Sequence, residues 1–381
     1  MRSGSLRVVD LDAAPILVFW ETTRACLLAC RHCRAEAMEL PLPGELTADE
    51  SLTFIRSLTA FGSRPPVLVL TGGDVLMRPD HLELAAFARS LGIPVGLAPS
   101  VTPLLTPAIV RRLERLDVKS VSISLDGATA ATHEGIRGVP GHFERTLDTL
   151  DLLTRRGFTV QVNTAVMRDN VEELADVAAL LRIHRVGIWE VFFLVKVGRG
   201  AGVEDLSPTE NEDVAHFLFD AACHGLTVRT VEAPFFRRVV QVRSEAGPEM
   251  DAAETFSLGP LYRRLAMRLS ERLGEPDGPI RARSGGTRDG KGIVFVAHDG
   301  VVYPAGFLPF PLGNVRQRSV VDIYRNHPLL RAIRDARFTG RCGACKYREI
   351  CGGSRARAFA ASGDPLGEDP ACAYKPEAAL R

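Results

Sequence analysis

The sequence predicts an α/β fold: a partial (βα)6 barrel followed by a small C-terminal domain organised by cysteines. Six apolar runs of β type alternate with stretches of helical period between residues 16 and 195. The helical stretches carry their own start and stop signals. Of the eight cysteines, three stand at the head of this alternation and four lie well beyond its end.

The β runs occupy residues 16–20, 67–70, 95–98, 121–125, 159–166 and 188–195, and alternation of this kind implies parallel strands joined by crossover helices. Thr47 with Glu50 forms a capping box, Thr106 precedes Pro107 at a first helical position, and Gly92 and Gly157 sit just past helix ends. Six units fall short of the eight that close a TIM barrel, so an open, TIM-like partial barrel is expected, working at the carboxyl ends of its strands. Ser207, Pro208 and Glu210 open a further helix, after which residues 240–286 read as a linker with some helix at 261–273. His298-Asp299-Gly300 between residues 293–297 and 301–303 signals a hairpin, and a helix is expected over 320–334. The expected division is a barrel at 1–205, a bridging helix and linker at 206–286, and a C-terminal domain at 287–381.

Composition narrows the function classes. With 46% hydrophobic residues, 24% charged residues and a formal net charge of +1, nothing draws the chain electrostatically to nucleic acid or an anionic membrane. No stretch reaches the roughly 18 apolar residues of a membrane span, and the early apolar run is too short for a signal-peptide core. A cytoplasmic setting is expected, and in a reducing compartment clustered thiols suggest metal ligation before disulfides. Cys223, alone in a helical context, reads as a small buried hydrophobe.

Cys26-x3-Cys30-x2-Cys33 follows the first strand directly, on the working face of the barrel. Zinc sites prefer paired cysteine units giving four ligands; this loop offers three thiolates. Three thiolates on a four-iron cube leave one iron open to a substrate or cofactor, unlike the four-cysteine closure of electron-transfer clusters. Cys342-x2-Cys345-x5-Cys351 with Cys372 offers a second set.

The run Cys26-Leu-Leu-Ala-Cys30-Arg-His-Cys33 resembles the signature of the radical SAM superfamily, with His32 in its usually aromatic slot. Thr71-Gly72-Gly73-Asp74 is similar to the family's Gly-Gly-Glu turn, whose backbone and carboxylate hold the methionine ammonium of S-adenosylmethionine (SAM). The resemblance implies further SAM contacts at Ser124, at Arg137 as the clamp on the methionine carboxylate, and at Asn163 toward the ribose. Gly198-Arg199-Gly200, after the sixth strand, is a candidate contact to SAM or an anionic substrate. Asp126, Glu190 and Tyr303 are the candidates for catalytic roles. Glu190 shares one face of its strand with Ile188, Phe192 and Leu194, which allows an inward carboxylate, and Tyr303 stands near the junction with the C-terminal domain.

The second cysteine group resembles the SPASM/Twitch extension that carries auxiliary clusters. Arg355 stands where a further cysteine would fall, and what remains is the set for one auxiliary [4Fe–4S] cluster: Cys342, Cys345, Cys351 and Cys372. The implied activity is reductive cleavage of SAM to a 5′-deoxyadenosyl radical that abstracts hydrogen from a peptide or a tetrapyrrole-like molecule. Cluster potentials span about −700 to +450 mV, and this cleavage needs the low end, so a flavodoxin- or ferredoxin-type donor is implied. The rival readings are a zinc-stabilised binding or regulatory protein and a plain iron–sulfur electron carrier.

Overall fold

A computed structural model gives residues 10–247, 250–276, 278–282 and 287–376. Strand β1 (Leu17–Glu21) is followed by helix α1 (Ala48–Ser57), β2 (Val67–Thr71), α2 (His81–Ser90), β3 (Val95–Leu97), α3 (Pro107–Arg115) and β4 (Ser120–Ser124). Helices α4 (Ala130–Arg137) and α5 (His142–Arg155) precede β5 (Thr159–Val166), and α6 (Leu174–Ile183) precedes β6 (Ile188–Phe193). Next come α7 (Pro208–Ala221), β7 (Thr227–Val231), α8 (Phe236–Ala246), α9 (Ala252–Thr255) and α10 (Pro260–Leu273). The C-terminal part holds β8 (Ile293–Val296), β9 (Val301–Tyr303), β10 (Gly313–Asn314), α11 (Val320–Asn326), α12 (Pro328–Arg334), α13 (Gly340–Ala344) and α14 (Arg355–Ser362).

Local chemistry sets the helix ends. Thr47 and Ser207 both close capping boxes, with Glu50 and Glu210 respectively, and Thr106 accepts from the Ile109 amide ahead of Pro107. Gly92 and Gly157 take the left-handed conformation just past α2 and α5.

The strands form one sheet in the order β10-β9-β8-β1-β2-β3-β4-β5-β6-β7, parallel from β8 through β7. Along β5, Val160, Val162, Thr164 and Val166 are buried beneath helices, while Gln161, Asn163 and Ala165 face the half-open lumen. The same alternation runs along β4 and β6, so every second side chain, among them Ser122, Ser124, Gln161, Asn163 and Glu190, points toward one inner space.

Three expectations about the outer parts need correction. The stretch read as helix and linker holds a seventh parallel strand, β7, and four helices, α7 to α10; α10 packs on α6 and α7, with Arg268 and Arg272 both paired to Asp176. The C-terminal hairpin is not set apart: β8 pairs with β1 from Leu17↔Ile293 to Trp20↔Val296, so the sheet runs across the boundary expected at 286/287. That boundary abuts residues 283–286, which lie outside the described residues, as do residues 1–9 and 377–381 of the outer spans. The helix expected over 320–334 is two helices, because Pro328 disfavours helical backbone at the residue before it, and His327 is extended at ψ 129°.

The core between sheet and helices is anchored by large buried rings. Trp189 is fully buried, donates its Nε1–H to Thr164 Oγ1 at 2.9 Å and meets Phe217 edge-on at 6.4 Å. Replacing Trp189 with alanine should cost roughly 3–5 kcal/mol. The shift of the urea midpoint at constant slope measures it, and a loss below about 1 kcal/mol would contradict this packing.

Candidate active site

The carboxyl ends of the strands surround an open cleft. Cys26, Cys30 and Cys33 line it from the loop after β1. The Leu28 amide donates to Cys26 Sγ at 3.4 Å, and Arg137 Nη1 lies 3.5 Å from Cys30 Sγ. Burial pushes the Cys26 and Cys30 thiols up, and Arg137 partly offsets this at Cys30.

Neighbouring backbone fixes the cysteine loop on three sides. Gly73 N–H donates to Thr23 O at 2.8 Å and Asp74 N–H to Ala25 O at 2.7 Å, tying it to the turn after β2. Ala29 and Arg31 amides donate to Arg137 O and Ile136 O at the end of α4. Arg199 donates Nε–H to Cys30 O at 2.9 Å and Nη1–H to Ala37 O at 3.2 Å, gripping the loop from beyond β6. Gly198 makes that approach possible: it is left-handed, and a Cβ there would stand 2.5 Å from Arg34 O.

The expected SAM contacts separate into two groups. Gly72, Gly73, Ser124, Arg137, Asn163 and Arg199 all line the cleft. Asp74 does not. Its carboxylate is fully buried and saturated by the Leu76 amide (3.1 Å), the Ser100 amide (3.2 Å) and Thr102 Oγ1 (2.9 Å), so the turn presents backbone alone. Asn163 Oδ1 accepts from Gln161 Nε2 at 2.8 Å, which holds the amide in one orientation.

The candidate catalytic side chains are all engaged in structure. Asp126 lines the cleft, yet it is fully buried, paired with Arg137 Nη2 at 2.6 Å, and accepts from the Ala165 amide at 2.7 Å. Burial alone would raise its pKa; the charges of Arg137 and the hydrogen bonds outweigh this and hold the carboxyl below its usual range. Glu190 sits below the cleft lining, accepts from Gln161 Nε2 at 2.7 Å, and is pushed up by burial against the opposing pull of Arg229. Tyr303 packs on Phe295 with centroids 6.3 Å apart and is not part of the cleft wall. The sequence did not single out Ser100, whose hydroxyl lies 3.7 Å from Cys26 Sγ, nor His142, which lines the cleft beside Arg137. Neither belongs to a local motif, and only the folded chain brings them there.

The second cysteine group has the same local grammar. Tyr347, Gly353 and Asp369 amides each donate to a sulfur, of Cys345, Cys351 and Cys342 respectively, at 3.4 Å. Such N–H···S bonds favour thiolates and fit metal-bound sulfur. Burial pushes Cys351 and Cys372 up to about 12, so without a metal these thiols would stay protonated. Arg355 is fully buried with Nη2 3.6 Å from Cys342 Sγ, placing a cation against this donor set. Among the described residues no three His, Cys, Asp or Glu side chains converge on a single ion. Both sets offer cysteine sulfur, the ligand type of iron–sulfur clusters.

Gly73 yields a direct test. A Cβ there would meet Ala25 O at 2.4 Å and Arg24 O at 2.7 Å, displacing the residues just before Cys26. Gly73→Ala should therefore lose about half of the iron that the wild type holds after anaerobic reconstitution, with the C-terminal share kept. Full iron content would show that the loop tolerates the displacement.

Comparison with known proteins agrees with this arrangement. Residues 20–181 match the radical SAM superfamily profile, and residues 288–346 match SPASM, an iron–sulfur cluster-binding domain. The chain is 36% identical to an AdoMet-dependent heme synthase of Methanosarcina barkeri, over 97% of this chain and 99% of that protein. It is 31% identical to a mycofactocin maturase of Mycobacterium ulcerans, over 94% and 88% of the two chains. Streptococcus suis SuiB bound to S-adenosylmethionine shares the fold at a TM-score of 0.68 and 15% identity, covering 95% of this chain and 78% of that one. With the cysteine loop, the glycine turn and the C-terminal cysteine set all in one framework, the chain belongs to the radical SAM superfamily, in the group that carries a SPASM domain.

Proposed function

We propose that this radical SAM enzyme acts on a carboxylated side chain of a tetrapyrrole, and that the cleft holds SAM at its cysteine end and the substrate at its aromatic end. The observation that carries the reading is that one cleft is lined both by the three-cysteine loop with Gly72, Gly73, Ser124 and Asn163 and by Phe192, Phe193 and Phe307. Phe192 and Phe307 stand 6.1 Å apart, and the Arg34 guanidinium lies 4.5 Å over the Phe295 ring and 3.2 Å from Glu21. An aromatic wall with a fixed cation suits a planar macrocycle bearing carboxylates. The match to a heme synthase along almost the whole of both chains supports the same substrate class.

In this reading Cys26, Cys30 and Cys33 hold a [4Fe–4S] cluster with one open iron, and Cys342, Cys345, Cys351 and Cys372 hold the auxiliary one. When bound, the first cluster supplies the single electron that cleaves SAM, and a flavodoxin- or ferredoxin-type protein renews it. The chain's own part is positional. The Gly72 and Gly73 backbone receives the methionine ammonium, Arg137 supplies the cation for its carboxylate, and Asn163 meets the ribose. Arg199 keeps the cysteine loop seated, while Asp126 fixes Arg137. Glu190 acts on Asn163 through Gln161, and Tyr303 backs Phe295. Of the spans 1–205, 206–286 and 287–381, the first serves as barrel, the second bridges while adding β7 to its sheet, and the third carries the second cysteine set while adding β8 to β10. Among the described residues no helix is long and apolar enough to cross a membrane; the cytoplasmic setting proposed here rests on clustered cysteines that form no disulfide among the described residues. A peptide substrate is the second reading, favoured by the 31% identity to the mycofactocin maturase.

The test is anaerobic turnover with SAM, dithionite and a porphyrin carrying propionate groups. The expected result is 5′-deoxyadenosine together with a porphyrin of altered side-chain mass. Porphyrin left unchanged while a short peptide is modified would overturn the substrate assignment. Cys30→Ala should abolish 5′-deoxyadenosine formation and retain about four irons in the extension, whereas Cys345→Ala should still form 5′-deoxyadenosine but no product.

A further inference from the structure

Behind the cleft wall three groups form a chain of hydrogen bonds whose direction chemistry fixes. The Asp126 backbone N–H can only donate, and it donates to His133 Nδ1 at 3.1 Å. A neutral His133 must then carry its proton on Nε2. That nitrogen lies 2.7 Å from His142 Nδ1, and the ring centroids are 4.9 Å apart with planes 23° from parallel. The Thr146 hydroxyl gives its proton to His142 O at 2.8 Å, so it does not compete for the acceptor. His142 Nδ1 therefore accepts, and its proton sits on Nε2.

Both rings stay neutral. Burial, reinforced by the Arg137 charge, pushes His133 down to about 3 and His142 down to about 4. The end of the chain is the unusual part. His142 is 1% exposed, it lines the cleft, and its Nε2 has no partner among the described residues. A buried N–H donor without an acceptor costs free energy unless a ligand supplies one. The adjoining Arg137 is paired through Nη2 with Asp126 and reaches Cys30 through Nη1, while its buried Nε has no partner among the described residues, so the wall beside His142 offers an anion both a positive charge and a further N–H.

We propose that His142 is a SAM-binding residue: the chain from Asp126 through His133 fixes its tautomer so that Nε2–H donates to the methionyl carboxylate beside Arg137. This rests on the assignment of the cleft's cysteine end to SAM. It adds to that assignment a second, uncharged donor and a reason for two buried histidines in contact. Because the donor's orientation is set before the ligand arrives, binding does not have to order it.

The experiment measures SAM binding by anaerobic isothermal titration on the cluster-loaded protein, without substrate, with iron content and thermal midpoint as checks of folding. His142→Ala should raise the dissociation constant about ten- to a hundredfold, the size of one hydrogen bond to a charged group. His142→Gln, whose amide nitrogen can reach the place of Nε2, should restore most of the affinity. The proposal is overturned if alanine leaves SAM affinity unchanged, if glutamine is as weak as alanine, or if only substrate affinity falls. Nitrogen-15 spectra of the histidines should show His142 protonated at Nε2; protonation at Nδ1 would also overturn it. Loaded wild-type protein that fails to bind SAM would instead remove the SAM assignment itself, and this inference with it.

Discussion

The buried pair of Arg137 and Asp126 is the contact on which the site depends. Removing two charges from water is expensive, and such a pair persists only where further hydrogen bonds satisfy both partners. Here Asp126 also accepts from the Ala165 amide on β5, and Asn170 holds its backbone carbonyl, while Arg137 reaches Cys30 Sγ. The carbonyls of Ile136 and Arg137 receive the Arg31 and Ala29 amides. One ion pair thus couples the end of β4, the start of the loop after β5, helix α4 and the cysteine loop. A shift in any of these would move the others.

The C-terminal extension is joined to the barrel in two separate ways. The pairing of β8 with β1 makes the hairpin part of the barrel's own sheet. On the other side α14 joins the second cysteine set to the cleft wall: Arg355 touches Cys342, and Arg357 donates Nε–H to Leu194 O. Arg238, paired with Glu212, adds a further cation whose charge is felt at Cys372 and Cys351. Cations beside these sulfurs favour the thiolate, the form that ligates metal. Strand pairing and buried side-chain contacts thus connect the extension directly to the barrel.

What could be read from the chain were features whose chemistry is local. Cysteine spacing, the Gly72-Gly73 turn, the capping boxes at Thr47 and Ser207 and the strand alternation each depend on residues a few positions apart. The strand β7 is hard to read because Thr227-Val-Arg-Thr-Val is short and carries Arg229 at its centre. Asp74 had the right position for a ligand contact, but Thr102 and the Ser100 amide, contributed by the neighbouring βα unit, claim its carboxylate. Glu190 has the inward parity expected of it and lies too deep along β6 to line the cleft.

The sequence by itself determined that three thiols occupy one strand-end loop and four more a distant segment, because ligand identity and spacing are written in consecutive residues. Which carboxylates are free, which arginine is already paired and which histidine nitrogen bears the proton were decided only in the tertiary structure. Those properties belong to contacts between residues far apart in the chain, where burial and a competing donor from another element outweigh any local preference.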